Sequence, residues 1–149
     1  MMTEKIYAAY GSNMNLVQMA DRCPTAKAFD IGYLKDYELV FRGGWNIAVA
    51  TIEKKKGSRV PVVLWTIEAA DEAALDRYEG YPFLYRKETI EAETDSGTIQ
   101  AMAYVMNEGR AAGSPSRYYL DTIARGYEEA GFRKETLYKS AFSIKEKAR

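Results

Sequence analysis

The pattern of apolar and polar positions changes character several times along this chain, and each change marks an element. Ile6 to Tyr10 is a short apolar and aromatic run that stops at a glycine and turn formers, as a buried strand does where it opens into a loop. After Asn15, the residues Leu16, Met19 and Ala20 recur at helical spacing until Pro24, which predicts a short helix. Ala28 to Leu34, Tyr37 to Arg42 and Ile47 to Glu53 are rich in aromatic and β-branched residues. Lys35-Asp36 and Gly43-Gly44 separate them, so three consecutive antiparallel strands are expected. Lys54-Lys55-Lys56-Gly57-Ser58 then reads as a solvated hairpin loop leading into a further strand, Val60 to Ile67.

Asp71 is placed as the N-cap of a three-turn helix to Glu79, with Gly80 in the left-handed position past its end. Tyr85 to Glu93 and Thr98 to Val105 form a hairpin across Asp95-Ser96-Gly97, followed by a loop from Met106 to Gly113. Ser114-Pro115 reads as a helix start with proline at the first helical position. Leu120, Ile123, Ala124 and Tyr127 continue that helix as an apolar stripe, and Gly131 ends it. Lys134 onwards is helix-like with weak patterning, and Lys145 to Arg149 is expected to fray. No repeat, low-complexity stretch or linker interrupts the chain, so the expectation is one α+β domain over residues 1–149, dominated by antiparallel strands.

Composition adds mainly exclusions. Lys plus Arg and Asp plus Glu both number 21, so no net field draws the protein to nucleic acid or to an anionic membrane, and a small-molecule partner is expected. There is no histidine, which removes Ser-His-Asp and Cys-His nucleophile activation and every His-containing metal site. Cys23 is the sole cysteine, so neither an internal disulfide nor a thiolate cluster can form. Catalysis is left to carboxylates, tyrosines, lysines and backbone dipoles. The apolar stretch after Lys5 is too short for a leader, and no segment reaches the roughly twenty apolar residues of a spanning helix. A cytoplasmic location is the resulting expectation.

Two places can carry chemistry. In Tyr10-Gly11-Ser12-Asn13, glycine permits a sharp turn, and successive N–H groups can converge on a carboxylate or carbonyl oxygen. Ser12, Asn13 or Asn15 could equally cap the helix that follows. Glu79 lies one turn after Leu75, on or beside the inward face and in the last turn of its helix, where the dipole and any desolvation raise a carboxyl pKa. A raised carboxyl suits a general base and acid. The plainer alternative is a solvated glutamate at a helix end. Arg42 and Arg86 could meet a substrate carboxylate, but most surface arginines are only solvated charges and neither is counted as a site residue, and Tyr85 reads as packing.

The combination is more informative than the parts. Tyr10-Gly11-Ser12-Asn13, then Leu75 to Pro82 followed by Tyr85-Arg86, then Ser114-Pro115-Ser116-Arg117-Tyr118 occur here in one order and spacing. Over about its whole length the chain resembles the γ-glutamyl cyclotransferase superfamily, including its avirulence-induced (AIG2-like) branch. The resemblance implies a mixed, mainly antiparallel β-barrel with flanking helices and an enzyme needing no metal or cofactor. It implies substrate binding by Tyr10, Gly11, Ser12 and Asn13, catalysis by Glu79, and a pocket-lining Tyr118. The implied reaction closes a γ-glutamyl group to 5-oxoproline and releases an amine or amino acid.

The glutathione-specific branch tends to carry an aliphatic residue where Asn13 stands, which argues against glutathione as the main substrate. Trp45 to Thr51 resembles a Gly-Ile-Ala-Thr-Ile region loosely, with Asn46 in place of the glycine. Two alternatives keep the pocket: a non-catalytic module binding a γ-glutamyl-like molecule, or a cyclotransferase acting on a carrier-bound or side-chain γ-glutamyl group. A monomer or homodimer is expected.

Overall fold

The structure is a computed structural model describing residues 4–147, with side chains to residue 142. Five strands, β1 (Lys5–Ala9), β2 (Lys27–Arg42), β3 (Val49–Ile67), β4 (Tyr85–Thr94) and β5 (Gly97–Met106), close into a barrel in the order β1-β3-β2-β4-β5. Neighbouring strands are antiparallel except where β1 meets β5 in parallel at Tyr7 and Met102, which closes the barrel. The helices are α1 (Leu16–Arg22), α2 (Ala69–Glu79), α3 (Arg117–Ala130) and α4 (Glu135–Lys147). Among the described residues no helix is long and apolar enough to cross a membrane. The barrel with flanking helices agrees with the expected α+β fold.

The largest departure from the sequence reading lies in β2 and β3. The expected breaks at Lys35-Asp36 and at the lysine block do not end strands; they face each other across one long ribbon. Lys35 pairs with Arg59 and Tyr37 with Lys54, so residues 55–58 bulge opposite Asp36. Asp36 takes φ 64°, a left-handed conformation that aspartate tolerates, and its Oδ1 accepts from the Gly57 amide at 2.9 Å. Lys54, Lys55 and Lys56 remain exposed, as expected of a charge block. Gly43-Gly44 does begin a true loop, and β3 starts at Val49, two residues after the expected Ile47.

Helix starts also shift. α2 begins at Ala69 with Glu68 at its cap, and Asp71 sits at the third helical position. From there Asp71 Oδ2 accepts back from the Glu68 amide at 2.9 Å, as in a capping box, and from Thr25 Oγ1 at 2.7 Å. Gly80 ends α2 at φ 63°, as anticipated. α3 is capped by Ser116, which accepts from the Tyr119 amide at 3.1 Å, so Ser114-Pro115 precedes the helix and does not start it. The expected fraying from Lys145 meets a helix that continues to Lys147; Ala148 and Arg149 lie outside the described residues.

Three contacts place the first loop. The β1 strand ends in a single 3-10 turn, Ser12–Met14, and Asn15 caps α1 through its Oδ1, which accepts from Gln18 N at 3.0 Å. Asn15 Nδ2 also donates to Thr122 O of α3 at 3.1 Å. Gly126 of α3 lets the turn lie against the helix, because a Cβ there would come within 2.8 Å of Met14 Cβ and 2.9 Å of Asn15 N. At the far end of α1, Cys23 Sγ reaches the carbonyl of Asp71 at 3.6 Å, bringing the end of α1 to the start of α2.

Candidate active site

A cavity of about 230 Å³ opens where β1 hands over to the 3-10 turn. Of the residues expected to form a site, Tyr10, Gly11, Ser12, Asn13 and Glu79 line it together, although the loop and the glutamate are more than sixty positions apart in the chain. Pockets for drug-sized ligands start at roughly 300 Å³, so the space suits a smaller group. In a larger groove of about 610 Å³, Arg42 and Arg86 are already paired, Arg42 with Glu53 at 2.5 Å and 3.0 Å and Arg86 with Glu88 at 2.7 Å.

Each loop side chain has a structural partner. Tyr10 donates its hydroxyl to Tyr104 O at 2.5 Å, and Ser12 Oγ lies 3.1 Å from Tyr78 Oη. Asn13 Nδ2 donates to Tyr7 Oη at 3.0 Å, while its Oδ1 accepts from Arg22 Nη1. The helix-capping alternative falls to Asn15, so the turn and the cap coexist. Met14 N and Asn15 N close the turn on Gly11 O at 3.0 Å and Ser12 O at 3.1 Å. The amides before them, Ser12 N and Asn13 N, are the donors that such a turn leaves without an internal acceptor.

Glu79 is the last residue of α2 and half-buried, one turn beyond the fully buried Leu75. Burial pushes its carboxyl up to about 7, and the guanidinium of Arg22 acts in the opposite direction. Around it stand the hydroxyls of Tyr7, Tyr10, Tyr85 and Tyr119, each also pushed up by burial, so these phenols stay neutral at physiological pH. Among the described residues no lysine or arginine lines the cavity.

Tyr118 is a correction. It is 81% exposed at the start of α3 and does not line the cavity. Its neighbour Tyr119 does, with its hydroxyl accepting from Ala50 N at 3.0 Å, while Tyr85 donates to Ala50 O at 2.6 Å. The signal was present in helical spacing: Tyr119 is four residues before Ile123 on the buried stripe, whereas Tyr118 leads to Thr122 and Arg125 on the polar face. Tyr85, read as packing, both packs and lines the pocket. Tyr7 and Tyr104 were missed, because only closure of the barrel brings them beside Glu79, and Tyr78, next to Glu79 in the chain, was quoted in the motif without a role.

Asn46, which stands where the resemblance expects glycine, has φ 63°, the left-handed conformation that asparagine adopts most readily after glycine. Its amide donates to Ser114 Oγ at 2.9 Å, tying this loop to the segment before α3.

The fold and the pocket together define a class: a small, mainly antiparallel barrel with a tyrosine-walled cavity holding one protonatable carboxyl. The sequence profile of the γ-glutamyl cyclotransferase, AIG2-like family matches residues 7–124, and this chain belongs to that family. γ-Glutamylcyclotransferase of Homo sapiens is 30% identical over 135 residues, covering 85% of this chain and 71% of that protein. The Mus musculus protein of the same name is 30% identical over 139 residues, with coverage of 87% and 73%. A solved γ-glutamyl cyclotransferase superposes with a TM-score of 0.84 at 27% identity, over 93% of this chain and 86% of that one.

Proposed function

We propose that this chain is a γ-glutamyl cyclotransferase in which Glu79 moves the protons. The α-amine of the substrate attacks its own γ-carbonyl, a five-membered lactam closes, and the bond from that carbonyl to the leaving nitrogen breaks. The products are 5-oxoproline and an amine or amino acid. Because the nucleophile belongs to the substrate, holding the reactive conformer can supply effective molarities of about 10⁵ M or more. What remains is proton movement: the α-ammonium gives up one proton to become nucleophilic, the attacking nitrogen gives up a second as it becomes the lactam N–H, and the departing nitrogen takes one by way of Glu79 and picks up the other from water to leave as an ammonium. The chemistry calls for no metal or cofactor.

The observation that carries this reading is a carboxyl raised to about 7 by burial, in a small cavity shared with the Gly11 to Asn13 turn. An acid of that strength is partly ionised at neutral pH and so can both accept and return a proton. The Ser12 and Asn13 amides are free to meet the substrate carboxylate or the oxygen that becomes negative as the ring closes, a contact typically worth about 3 kcal/mol. The family membership and the names of the relatives support the same reaction class.

The test is direct. Purified protein is incubated with γ-glutamyl amino acids, γ-glutamyl polyamines and γ-glutamyl-lysine, and 5-oxoproline is followed by mass spectrometry. Release is expected for at least one, with an acidic limb in kcat/KM near pH 7, and Glu79→Gln should lose about 10²- to 10⁴-fold. Parent-like rates in that variant would remove Glu79 from the mechanism.

A further inference from the structure

Arg22 is the last residue of α1, outside the cavity lining, half-buried and absent from every motif singled out in the sequence. Its guanidinium carbon lies 3.3 Å from the centroid of the Tyr78 ring, and its Nη1 donates to Asn13 Oδ1. Asn13 in turn donates to Tyr7 Oη at 3.0 Å, and Tyr78 Oη meets Ser12 Oγ at 3.1 Å. One side chain therefore grips the first loop at Asn13 and the last turn of α2 at the residue preceding Glu79. A planar, permanently charged group suits this double contact, since it can stack on a ring and donate in its plane at once.

The surroundings make its charge matter. The titratable groups that face Glu79 are Tyr7 from β1, Tyr10 just past its end, Tyr78 from its own helix, Tyr85 from β4, Tyr104 from β5 and Tyr119 from α3. All are phenols. Asp76, one turn back on α2, is engaged elsewhere by Tyr104 Oη at 2.6 Å and Lys87 Nζ at 3.0 Å. Among the described residues Arg22 is the cation whose field reaches the Glu79 carboxyl, and the half-buried setting of both groups leaves that field only partly screened by water.

We propose that Arg22 is a positioning residue of this site: it clamps the Ser12–Asn13 turn to the end of α2 and supplies the fixed positive charge that keeps the Glu79 carboxylate accessible near neutral pH. The role rests on the reading of Glu79 as the proton-transfer group, since without proton transfer the charge would have nothing to tune. Burial alone drives this carboxyl toward its neutral form, and a neutral Glu79 cannot take the proton of the substrate ammonium. Arg22 offsets that tendency without entering the cavity, where a cation would compete with the ammonium for the carboxylate.

The test reads Glu79 itself. Protein labelled with ¹³C at glutamate Cδ is titrated by NMR, with the Glu79 signal assigned by its loss in Glu79→Gln. Arg22→Gln, which keeps a donor for Asn13 but no charge, should move the Glu79 midpoint upward by about one pH unit, and Arg22→Met should do the same. Arg22→Lys, charged but unable to reproduce the planar stack, should keep the midpoint near that of the parent while lowering kcat/KM. The acidic limb of the 5-oxoproline release profile should move with the midpoint.

An unchanged midpoint in both neutral variants overturns the proposal, as does a uniform loss of rate with no displacement of the pH profile, which is what a merely structural arginine would give. Should Arg22→Met fail to fold, Arg22→Gln decides alone. A midpoint that moves in the neutral Arg22 variants while the parent protein releases no 5-oxoproline would uphold the tuning by Arg22 and refute the cyclotransferase reading.

Discussion

Replacing Glu79 by glutamine should make the folded protein more stable at alkaline pH even as it slows turnover by about 10²- to 10⁴-fold. The carboxyl titrates at about 7 in the folded chain against an ordinary value of 4.5. Folding therefore favours the protonated form. The stability linked to that preference is fully present below pH 4.5 and is lost as pH rises through 7. At about 1.4 kcal/mol per pH unit the gap corresponds to about 3 kcal/mol, which partial solvent access reduces to about 2 kcal/mol.

Glutamine has the same size and no titration, so it does not share this loss. The stability difference between Glu79→Gln and the parent should thus grow between pH 4.5 and 7 and level off above. Any cost of burying the amide adds a constant and leaves the slope untouched. Urea denaturation of both proteins at half-unit steps from pH 4.5 to 8.5 measures it directly, and about 2 kcal/mol should appear as about 4–8 °C in Tm at the upper end. A difference that stays flat with pH would show that the Glu79 carboxyl is as well solvated folded as unfolded, and the argument for its chemistry would fall with it.

Two further outcomes follow from the placement of individual residues. Tyr119→Phe removes the acceptor for Ala50 N and should cost about 1–3 kcal/mol together with most of kcat/KM, whereas Tyr118→Ala, at an exposed position, should stay within about 0.5 kcal/mol in the same denaturation and activity assays. Gly126→Ala sets a Cβ 2.8 Å from Met14 Cβ; overpacking of about 1–3 kcal/mol against a helix-propensity gain of about 1 kcal/mol gives a net loss of up to about 2 kcal/mol. Because the displaced atoms belong to the binding turn, its KM should rise as well, and a variant more stable than the parent would contradict the close approach.

The sequence by itself determined the local elements wherever a residue's chemistry settles its backbone. Gly80 stops α2, Asp95-Ser96 turns the β4–β5 hairpin with Gly97 opening β5, and the stripe of Leu120, Ile123, Ala124 and Tyr127 faces inward, because each depends on neighbours within four residues. Glu79 and the Tyr10 to Asn13 turn were legible for the same reason, as a charged group next to an inward face and a glycine at a strand end. Tertiary structure decided what depends on partners far along the chain. Lys35-Asp36 and the lysine block look like turns in isolation, yet pairing across the ribbon absorbs both as one bulge. Tyr7, Tyr85, Tyr104 and Tyr119 come from four different elements, and no spacing announces that barrel closure stands them around a single carboxyl. The pKa of that carboxyl is likewise a property of the assembled cavity, since it comes from water excluded by residues up to about a hundred positions apart in the chain.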